Sequence, residues 1–578
     1  MLTKHIPAHL RQYTVQQNYA SYTPINHAVW RYVMRQNHET MKDLAHEAYT
    51  DGLKASGISI EQIPDVAEMN EKLGRFGLGA ATIDGFIPGV AFFDFQSHGI
   101  LPVVAEIRKL ENIQYTPAPD MIHEAAGHAP ILADETYAAY VRRFGEIGKK
   151  AIATKEEHDV FEAVRTYSNL LEKGGATEEQ LETAKQQIAE KEALVTGESE
   201  AELIGRLYWW TVEYGLIGTV DNPKIYGAGL LSSVEEGGNI LSPDVKKVPY
   251  DMEQAVRTTF DITKPQPQLF VCQSFEELMD GLEAFAETMA FRRGGTESVD
   301  KAVASGSTAT IELSSGLQLT STWDAGRRND DGLLYYLQAS SPTALAFGDV
   351  QLPDHGRDVH ADGYGTPIGL LEDGRALETL KQDELANLGV TEGQETTLTF
   401  VSGVKVDGRV EQVHYEDGLP VLVRWSKATV TDGEARLFEP SWGMYDMAVG
   451  TGVTSVSAGA ADSEAFFGSD APAGSSLNHE QEETELDALY GEVRSIREHG
   501  PADAVDQLQA VHQALQEHPA DWLLRLEIVE ILEELDQPGG LLAKVQAELV
   551  QLQETRPELE KLITNGLQVA AKAPLRMQ

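Results

Sequence analysis

Two histidines and a glutamate lie within six residues of one another: His123, Glu124 and His128. Imidazole and carboxylate groups are the usual protein ligands of zinc and of non-haem iron, so the segment is a candidate metal site. In zinc metalloproteases the two histidines are four positions apart and share one face of an α-helix. Here they are five apart, which an ideal α-helix would separate by about 140°. We therefore expect a short helix capped by Asp120 that ends at Gly127, so that His128 can turn back.

A third ligand is expected in a separate apolar segment. Glu213 lies between Val212 and Tyr214, in a stretch that is apolar on nearly every helical face. A buried carboxylate is costly unless a cation or strong hydrogen-bond donors meet it, and a buried arginine would serve as well as a metal ion. Taken with the two histidines, Glu213 completes a two-histidine, one-carboxylate set. Such a set leaves coordination positions open and is typical of non-haem Fe(II) oxygenases.

The elements that must position these residues fall into regions of different pattern. Residues 1–295 carry helical periodicity and form the predicted mainly α catalytic domain, in which 148–200 is an inserted helical arm. We expect this arm to be a hairpin packed on its own domain, although a partner-binding arm is an alternative. Residues 296–458 alternate with period two between Asp-Gly turns, which predicts a β-rich domain, either a sandwich or a barrel. Residues 459–484 have the composition of a linker, and 485–578 are predicted to be helical, so the fold is multidomain.

The charge balance argues against two classes of partner. The 578 residues include 46 Lys+Arg and 91 Asp+Glu, a formal net charge of −45. Such a surface repels phosphate backbones and anionic lipids, so neither nucleic acid nor a membrane is expected as a partner. The chain lacks an apolar run long enough to span a bilayer and a signal-peptide pattern, and its single cysteine cannot form an internal disulfide. We expect a cytoplasmic protein, and the sequence leaves the oligomeric state open.

Three motifs, in this order, resemble those of the pterin-dependent aromatic amino acid hydroxylases, with the bacterial phenylalanine 4-monooxygenase branch closest. They are Pro119-Asp-x-x-His-Glu-x-x-Gly-His-x-Pro, Tyr208-Trp-x-Thr-Val-Glu-Tyr-Gly-Leu and Lys224-Ile-Tyr-Gly-Ala-Gly-Leu-Leu-Ser-Ser. A weaker similarity runs from Tyr22 to about Met289, which is roughly half of the chain. The role of residues 296–578 stays unknown, because they resemble nothing that would assign one.

The resemblance implies a monooxygenase that uses Fe(II), a tetrahydropterin and O₂ to hydroxylate the ring of an aromatic amino acid. We expect L-phenylalanine to be the substrate and L-tyrosine the product. Hydroxylation of tryptophan or tyrosine by the same chemistry is an alternative. A second is a zinc-dependent hydrolase that uses the same three ligands, with Glu124 as general base. A third is a non-catalytic binding protein in which the acidic C-terminal half acts.

The resemblance also implies roles for single residues. The Fe(II) ligands would be His123, His128 and Glu213. The pterin contacts would be Gly85, Phe86, Ile87, Phe92 and Glu124, with Phe93 as the alternative to Phe92. The substrate contacts would be Arg108, which suits a carboxylate, with Thr116, Pro119, Trp209, Gly229 and Ser232, and Tyr208 would lie near the iron. In the simplest alternative, the two phenylalanines are ordinary core residues and Arg108 pairs with Glu106 or Glu111 at the surface.

Overall fold

A computed structural model of the chain describes most of its residues. The described residues are 5–83, 85, 87–114, 119–172, 177–233, 236–262, 264–468, 484–535 and 539–572. Phe86 and Thr116, two of the predicted site residues, lie outside them. None of the described helices combines the length and the apolar character that crossing a membrane requires.

The first region is mainly helical, as predicted. Its α-helices are α1 (Pro24–Leu44), α2 (Ala48–Ala55), α3 (Val66–Leu73), α4 (Gly89–Ser97), α5 (Glu135–Gly148), α6 (Lys155–Glu172), α7 (Glu178–Glu192), α8 (Glu200–Tyr208), α9 (Ala228–Ser232), α10 (Glu236–Asn239), α11 (Met252–Arg257), α12 (Phe275–Ala286) and α13 (Ala290–Arg293). Helix α1 begins in a capping box, because Thr23 accepts a hydrogen bond from the backbone of Asn26 and the Asn26 side chain accepts one in return.

Two short π-helices interrupt this α-helical framework, at Ile122–His128 and Trp209–Glu213. The first replaces the short helix predicted to end at Gly127, so that prediction is wrong: the helix continues to His128 with a wider turn. Asp120 does cap it, accepting a hydrogen bond from the backbone N–H of His123 at 3.2 Å. Single π-helical turns occur frequently at functional sites.

Two small sheets support the loops around these helices. Strands β1 (Gly79–Ile83) and β2 (Ile100–Val104) pair in parallel, and the other sheet contains β3 (Leu216–Thr219), β4 (Asn222–Ile225), β5 (Lys246–Pro249) and β6 (Gln268–Cys272) in the order β4-β3-β6-β5. Strand β2 leads into the segment of Arg108, and β3 begins three residues after Glu213. Both sheets thus fix the entry or exit of a predicted site segment.

The predicted arm forms a helical hairpin from α6 and α7. The Lys191 ammonium donates to the carbonyl of Asp159 at 3.1 Å, and Lys185 lies 5.9 Å from the ring centroid of Tyr167. The residue nearer the C-terminus of α7 thus contacts the residue nearer the N-terminus of α6, so the two helices are antiparallel. Its status as an insertion in the domain stays a prediction.

The middle region is rich in strands but is not a barrel. After α14 (Gly295–Ser305) come β7 (Thr308–Leu313), β8 (Leu317–Thr322), β9 (Arg327–Arg328), β10 (Leu334–Ala339), β11 (Ala344–Phe347), β12 (Val350–Gln351), β13 (Tyr364–Pro367), α15 (Gln382–Asn387), β14 (Glu395–Thr399), β15 (Val404–Glu416), β16 (Leu419–Asp432), β17 (Ala435–Phe438), β18 (Tyr445–Ala448) and β19 (Val453–Ala458). They form sheets β13-β10-β9, β12-β11-β8-β7-β19 and β14-β15-β16-β17, with β18 also paired to β16. Within residues 296–458 every sheet keeps two edge strands, so the barrel alternative is wrong.

The predicted Asp-Gly turn between β15 and β16 is present. Asp417 and Gly418 both have positive φ, at 50° and 81°, the conformation that a two-residue hairpin turn requires. Asparagine, aspartate and glycine tolerate that conformation better than other residues.

The C-terminal helices pack on the first region. In the predicted linker the short helix α16 (Ser463–Phe467) forms, and 469–483 lie outside the described residues. Helices α17 (Glu485–His499), α18 (Ala504–Ala514), α19 (Leu523–Glu534), α20 (Gly540–Thr555) and α21 (Glu560–Ala570) follow. Their apolar side chains belong to the same buried cluster as α1, and Trp522 meets Tyr32 edge-on at 5.1 Å. Helix α1 is therefore buried between the site region and the C-terminal helices.

Candidate active site

The π-helix explains how histidines five positions apart meet. Hydrogen bonds in a π-helix join residues five apart, so side chains at i and i+5 project from nearly the same face. The Nε2 atoms of His123 and His128 are 3.3 Å apart. Gly127 allows α9 to pack directly on this helix, because a Cβ there would lie 2.6 Å from the carbonyl oxygen of Ala228.

The third predicted ligand, Glu213, closes the group. It is the last residue of the second π-helix and is buried. Its Oε2 lies 3.2 Å from Nε2 of His123 and its Oε1 lies 3.1 Å from Nε2 of His128. The structure therefore brings together the two histidines and a carboxylate that is 90 positions from His123 and 85 from His128 in the sequence.

These three side chains fit a divalent cation. Ligand bonds of about 2.0–2.2 Å set donor-to-donor distances of roughly 2.8–3.1 Å in octahedral and 3.3–3.6 Å in tetrahedral geometry, and the observed distances are 3.1–3.3 Å. Glu124 is buried beside them, with Oε2 3.8 Å from Nε2 of His128 and with no hydrogen-bond partner among the described residues. The donor set is the one that non-haem iron and zinc sites use.

The electrostatics of the group reflect its high density of charge. Burial favours neutral forms, but the two imidazoles outweigh it at Glu213 and hold the pKa of that carboxyl far below its usual range. Burial likewise lowers the pKa of His123, but the Glu213 carboxylate raises it to about 9. For Glu124, burial dominates and raises the pKa of the carboxyl. The site thus places one ionised carboxylate against two imidazoles in surroundings of low polarity.

Ser232 fixes the orientation of one imidazole. Its hydroxyl donates to the carbonyl of Ala228 at 2.8 Å, so its oxygen accepts the Nδ1–H of His123 at 3.1 Å. In the neutral imidazole, the form that binds a cation, the unprotonated ring nitrogen is then Nε2, which faces Glu213. The predicted contact of Ser232 with the substrate stays a prediction, and the structure places Ser232 against His123. The two residues are 109 positions apart, so no local pattern could have indicated this contact.

Arg108 is buried, and Asp120 accepts hydrogen bonds from both its side chain and its backbone. The carboxylate accepts hydrogen bonds from Nε and Nη2, each at 2.8 Å, and from the Arg108 backbone at 2.9 Å. Burial opposes ionisation of Asp120, but the guanidinium outweighs it and lowers the pKa of the carboxyl. The partner of Arg108 is therefore this buried carboxylate and not Glu106 or Glu111. The sequence indicated Asp120 only as a helix cap and missed this second role.

The adjacent phenylalanines occupy different surroundings. Phe93 stacks on Phe144 at 5.7 Å, and a Cβ at Gly148 would lie 2.6 Å from its ring, so Phe93 fills the contact between α4 and α5. Both rings are half-buried and meet Tyr208 edge-on, Phe92 at 5.7 Å and Phe93 at 5.5 Å, so the stacking on Phe144 is what sets Phe93 apart. Tyr208 is itself buried and accepts a hydrogen bond from the Gln96 amide at 2.6 Å. Phe92 is thus the ring that interior packing engages less.

The remaining predicted residues that the structure describes have the following surroundings. Trp209 stacks on Phe260 at 4.2 Å with an interplanar angle of 9°, a partner that the sequence did not indicate. Gly229 faces Tyr214, whose ring a Cβ would meet at 2.9 Å. The loop after β1 contains Gly85, which has a φ of 54°, and half-buried Ile87, while Pro119 is exposed just before Asp120.

Known protein families and curated proteins include relatives of this chain. The biopterin-dependent aromatic amino acid hydroxylase family matches residues 6–174 and 176–294. The phenylalanine-4-hydroxylase of Mesorhizobium japonicum is 30% identical over 294 residues, which are 50% of this chain and 90% of that protein. The phenylalanine-4-hydroxylase of Caulobacter vibrioides is 28% identical, covering 46% of this chain and 77% of that one.

Among solved structures, the phenylalanine hydroxylase of Chromobacterium violaceum with bound iron(III) and 7,8-dihydrobiopterin is 26% identical, with a TM-score of 0.38 over 48% of this chain and 86% of that chain. The predicted resemblance is confirmed by the family match and by the coverage of the Mesorhizobium protein. The chain therefore belongs to the biopterin-dependent aromatic amino acid hydroxylases.

Proposed function

We propose that the protein is an Fe(II)- and tetrahydropterin-dependent monooxygenase that converts L-phenylalanine to L-tyrosine. The observation that carries the proposal is the convergence of His123, His128 and Glu213 at mutual distances of 3.1–3.3 Å. The relatives named phenylalanine-4-hydroxylase support phenylalanine as the substrate.

The ligand roles follow from the donor chemistry of these three residues. Two unprotonated imidazole nitrogens and one carboxylate would hold the iron, and Ser232 would keep His123 in the required tautomer. When bound, the iron and the reduced pterin together supply the activation of O₂ and the electrons that the reaction consumes. Because three protein donors do not fill an octahedral sphere, room remains for exogenous ligands.

The substrate would be oriented by Arg108. A guanidinium has five N–H donors in a planar fork, and Asp120 accepts two side-chain hydrogen bonds from it. This contact immobilises the guanidinium, so that it could offer further donors to the carboxylate of an amino acid. Asp120 also caps the helix of His123, so the same carboxylate would position the substrate-binding arginine and one metal ligand.

The pterin would lie near Phe92, whose half-buried ring offers a face for stacking. Gly85 and Ile87 of the loop after β1 and the buried Glu124 are proposed as its further contacts. Trp209, Gly229 and Pro119 are proposed as the surroundings of the substrate, with Tyr208 behind Phe92. The loop residues Phe86 and Thr116 keep their predicted roles as proposals.

The experiment is product analysis with phenylalanine, tryptophan and tyrosine in the presence of Fe(II), tetrahydrobiopterin and O₂. We expect tyrosine from phenylalanine, coupled to oxidation of the pterin. Glu213→Ala and His128→Ala should lose bound iron and hydroxylation together, whereas His158→Ala, which removes an exposed histidine in α6, should retain both. Retained phenylalanine turnover in either ligand variant would overturn the ligand assignment. Hydroxylation of only tryptophan or only tyrosine would overturn the assignment of phenylalanine as the substrate.

A further inference from the structure

A second cluster of metal-ligating side chains lies in the β-rich region, outside the site described above. His355 and His360 belong to the loop between β12 and β13, and Asp446 belongs to β18. Oδ2 of Asp446 lies 3.8 Å from Nδ1 of His355 and 3.7 Å from Nε2 of His360. One donor atom from each of the three side chains lies within 4.8 Å of the other two.

The three side chains are buried, and one ring nitrogen of each histidine lacks the hydrogen bond that a buried polar atom normally makes. The side chains of His355, His360 and Asp446 are 9%, 10% and 1% exposed. Nδ1 of His355 and Nε2 of His360 have no hydrogen-bond partner among the described residues. An orphaned buried donor or acceptor costs about 1–3 kcal/mol, so two of them aimed at one carboxylate call for an explanation.

A network of buried ion pairs does not supply that explanation. The nitrogen-to-oxygen distances of 3.7–3.8 Å are too long for hydrogen bonds. Burial and the positive charge of Arg424 lower the pKa of each of the two histidines to about 4, so both imidazoles are neutral near pH 7. Neutral imidazoles with free ring nitrogens are the form in which histidine binds metal ions.

The backbone holds the three side chains in place. The loop is tied to the sheet because Leu345 donates to the carbonyl of His355 at 2.9 Å and Thr343 donates to that of His360 at 3.1 Å. Asp446 pairs in register with Arg424 of β16, whose Nε lies 3.0 Å from Oδ1 of the carboxylate and whose Nη2 donates to Oδ2 at 3.3 Å. Ligating carboxylates commonly have such an outer partner, which fixes their orientation.

We propose that His355, His360 and Asp446 bind a divalent first-row transition ion of the Zn²⁺ type, at a site separate from the catalytic one. Two imidazoles and a carboxylate are a standard donor set for such ions. Tetrahedral coordination would bring the donors to roughly 3.3 Å from one another, so the two nitrogen-to-oxygen distances of 3.8 and 3.7 Å would each shorten by about half an ångström. The ion would join the loop between β12 and β13 to β18 and thereby stabilise the β-rich region.

The neighbouring Arg424 affects the affinity expected of this site for a cation. Its positive charge opposes a cation next to Asp446, so we expect weaker binding than in a site without such a neighbour. The Arg424 side chain is 25% exposed. Its guanidinium can therefore share its charge with solvent while it remains against the carboxylate.

The test is the number of Zn²⁺ ions bound by untagged, full-length protein that has first been freed of metal with a chelator. Equilibrium dialysis against micromolar Zn²⁺ should give two ions per chain in the wild type and one in His360→Gln, His355→Gln or Asp446→Asn. His499→Gln, which removes an exposed histidine of α17, should still bind two. Equal stoichiometry in the wild type and the three cluster variants would overturn the proposal.

A second measurement keeps the result independent of the catalytic site and of damage to the fold. Glu213→Ala removes a proposed catalytic ligand but leaves the cluster, so Zn²⁺ should still raise its thermal midpoint. The double variant Glu213→Ala with His360→Gln should lose that rise. Co²⁺ should give a visible absorption band of a nitrogen- and oxygen-bound ion in the single variant and not in the double one. Absence of both the thermal rise and the band in Glu213→Ala would also overturn the proposal.

Discussion

Arg108 and Asp120 form a buried ion pair with two parallel hydrogen bonds of 2.8 Å, and the same carboxylate caps the helix that carries His123. A single side chain thus supports both the proposed substrate-binding arginine and one proposed iron ligand. Removing either partner of such a pair leaves a buried charge uncompensated, which costs about 3–5 kcal/mol. If Arg108 binds the substrate as proposed, the pair couples substrate binding to the stability of the proposed metal site.

The first prediction concerns the shape of the cation at position 108. Arg108→Lys keeps the positive charge but loses the planar fork, so it cannot hold Asp120 and a substrate carboxylate together. We expect the KM for phenylalanine to rise by about tenfold or more, with a smaller change in the KM for the pterin. Steady-state kinetics measure both. Lys109→Ala removes a neighbouring exposed cation and should change neither; a matching rise there would show that only general charge matters.

The second prediction concerns the tautomer of His123. Ser232→Ala removes the oxygen that accepts its Nδ1–H and leaves that donor unsatisfied. Loss of such an outer partner typically weakens metal binding about 10–100-fold. Iron affinity, measured by competition with a chelator, should fall in that range. Ser233→Ala, one position along and directed at the backbone of Glu236, is the control. An unchanged iron affinity in Ser232→Ala would show that Ser232 is not needed to hold His123 in the metal-binding tautomer.

Some features of the site could be predicted from the sequence, because the signal is local or because three motifs occur together. Asp120 could be identified as a cap from its position before the helix. Glu213 could be identified as a buried carboxylate from its apolar neighbours. In both cases the residue and its immediate surroundings carry the information.

Other features could not be predicted. An α-helix and a π-helix can have the same sequence pattern, and what decides between them here is packing, including the close approach of α9 to Gly127. The contact of Ser232 with His123 joins residues 109 positions apart. The burial of α1 beneath the C-terminal helices depends on charge pairs such as Arg31 with Glu527, which are 496 positions apart. A pattern read along the chain contains none of these distances.

The third prediction uses the two adjacent phenylalanines. Phe93→Leu removes a ring packed against Phe144 and Gly148, so it should lower the thermal stability by leaving a cavity. Phe92→Leu should instead raise the KM for the pterin, because the half-buried ring is the proposed stacking surface. Calorimetry and pterin-dependent kinetics on both variants separate the two effects. A pterin effect confined to Phe93→Leu would reverse the assignment.

The fourth prediction tests the packing of the π-helix. In Gly127→Ala the new methyl group would lie 2.6 Å from the carbonyl oxygen of Ala228, so α9 and the histidine-bearing helix must separate. Because Ser232 is in α9, we expect weaker iron binding together with lower stability. Gly205→Ala is the control, since its Cβ would meet nothing within 4 Å in α8, and it should be neutral or slightly stabilising. Normal iron affinity in Gly127→Ala would show that the close packing of α9 on the histidine-bearing helix is not required for iron binding.

The last prediction concerns the contact between α1 and α19. Arg31 donates to both carboxylate oxygens of Glu527, at 2.6 and 3.0 Å, and each side chain is 3% exposed. Burial alone would raise the pKa of Glu527, but Arg31 and Arg497 outweigh it and lower the pKa to about 2, from 4.5. A carboxyl whose pKa is lower in the folded state stabilises that state above its unfolded pKa. The stabilisation should be present above about pH 4.5 and should disappear as the pH falls towards 2.

Glu527→Gln isolates this contribution, since its neighbours are the same in both proteins. The difference in thermal midpoint between wild type and variant should be constant from pH 7 to about pH 5 and should shrink below pH 4.5. Calorimetry at several pH values measures it. Glu533→Gln, which neutralises another acidic residue of α19, is the matched control. A difference between wild type and Glu527→Gln that stays the same down to pH 3 would mean that packing, and not the charge of Glu527, holds the C-terminal helices on α1.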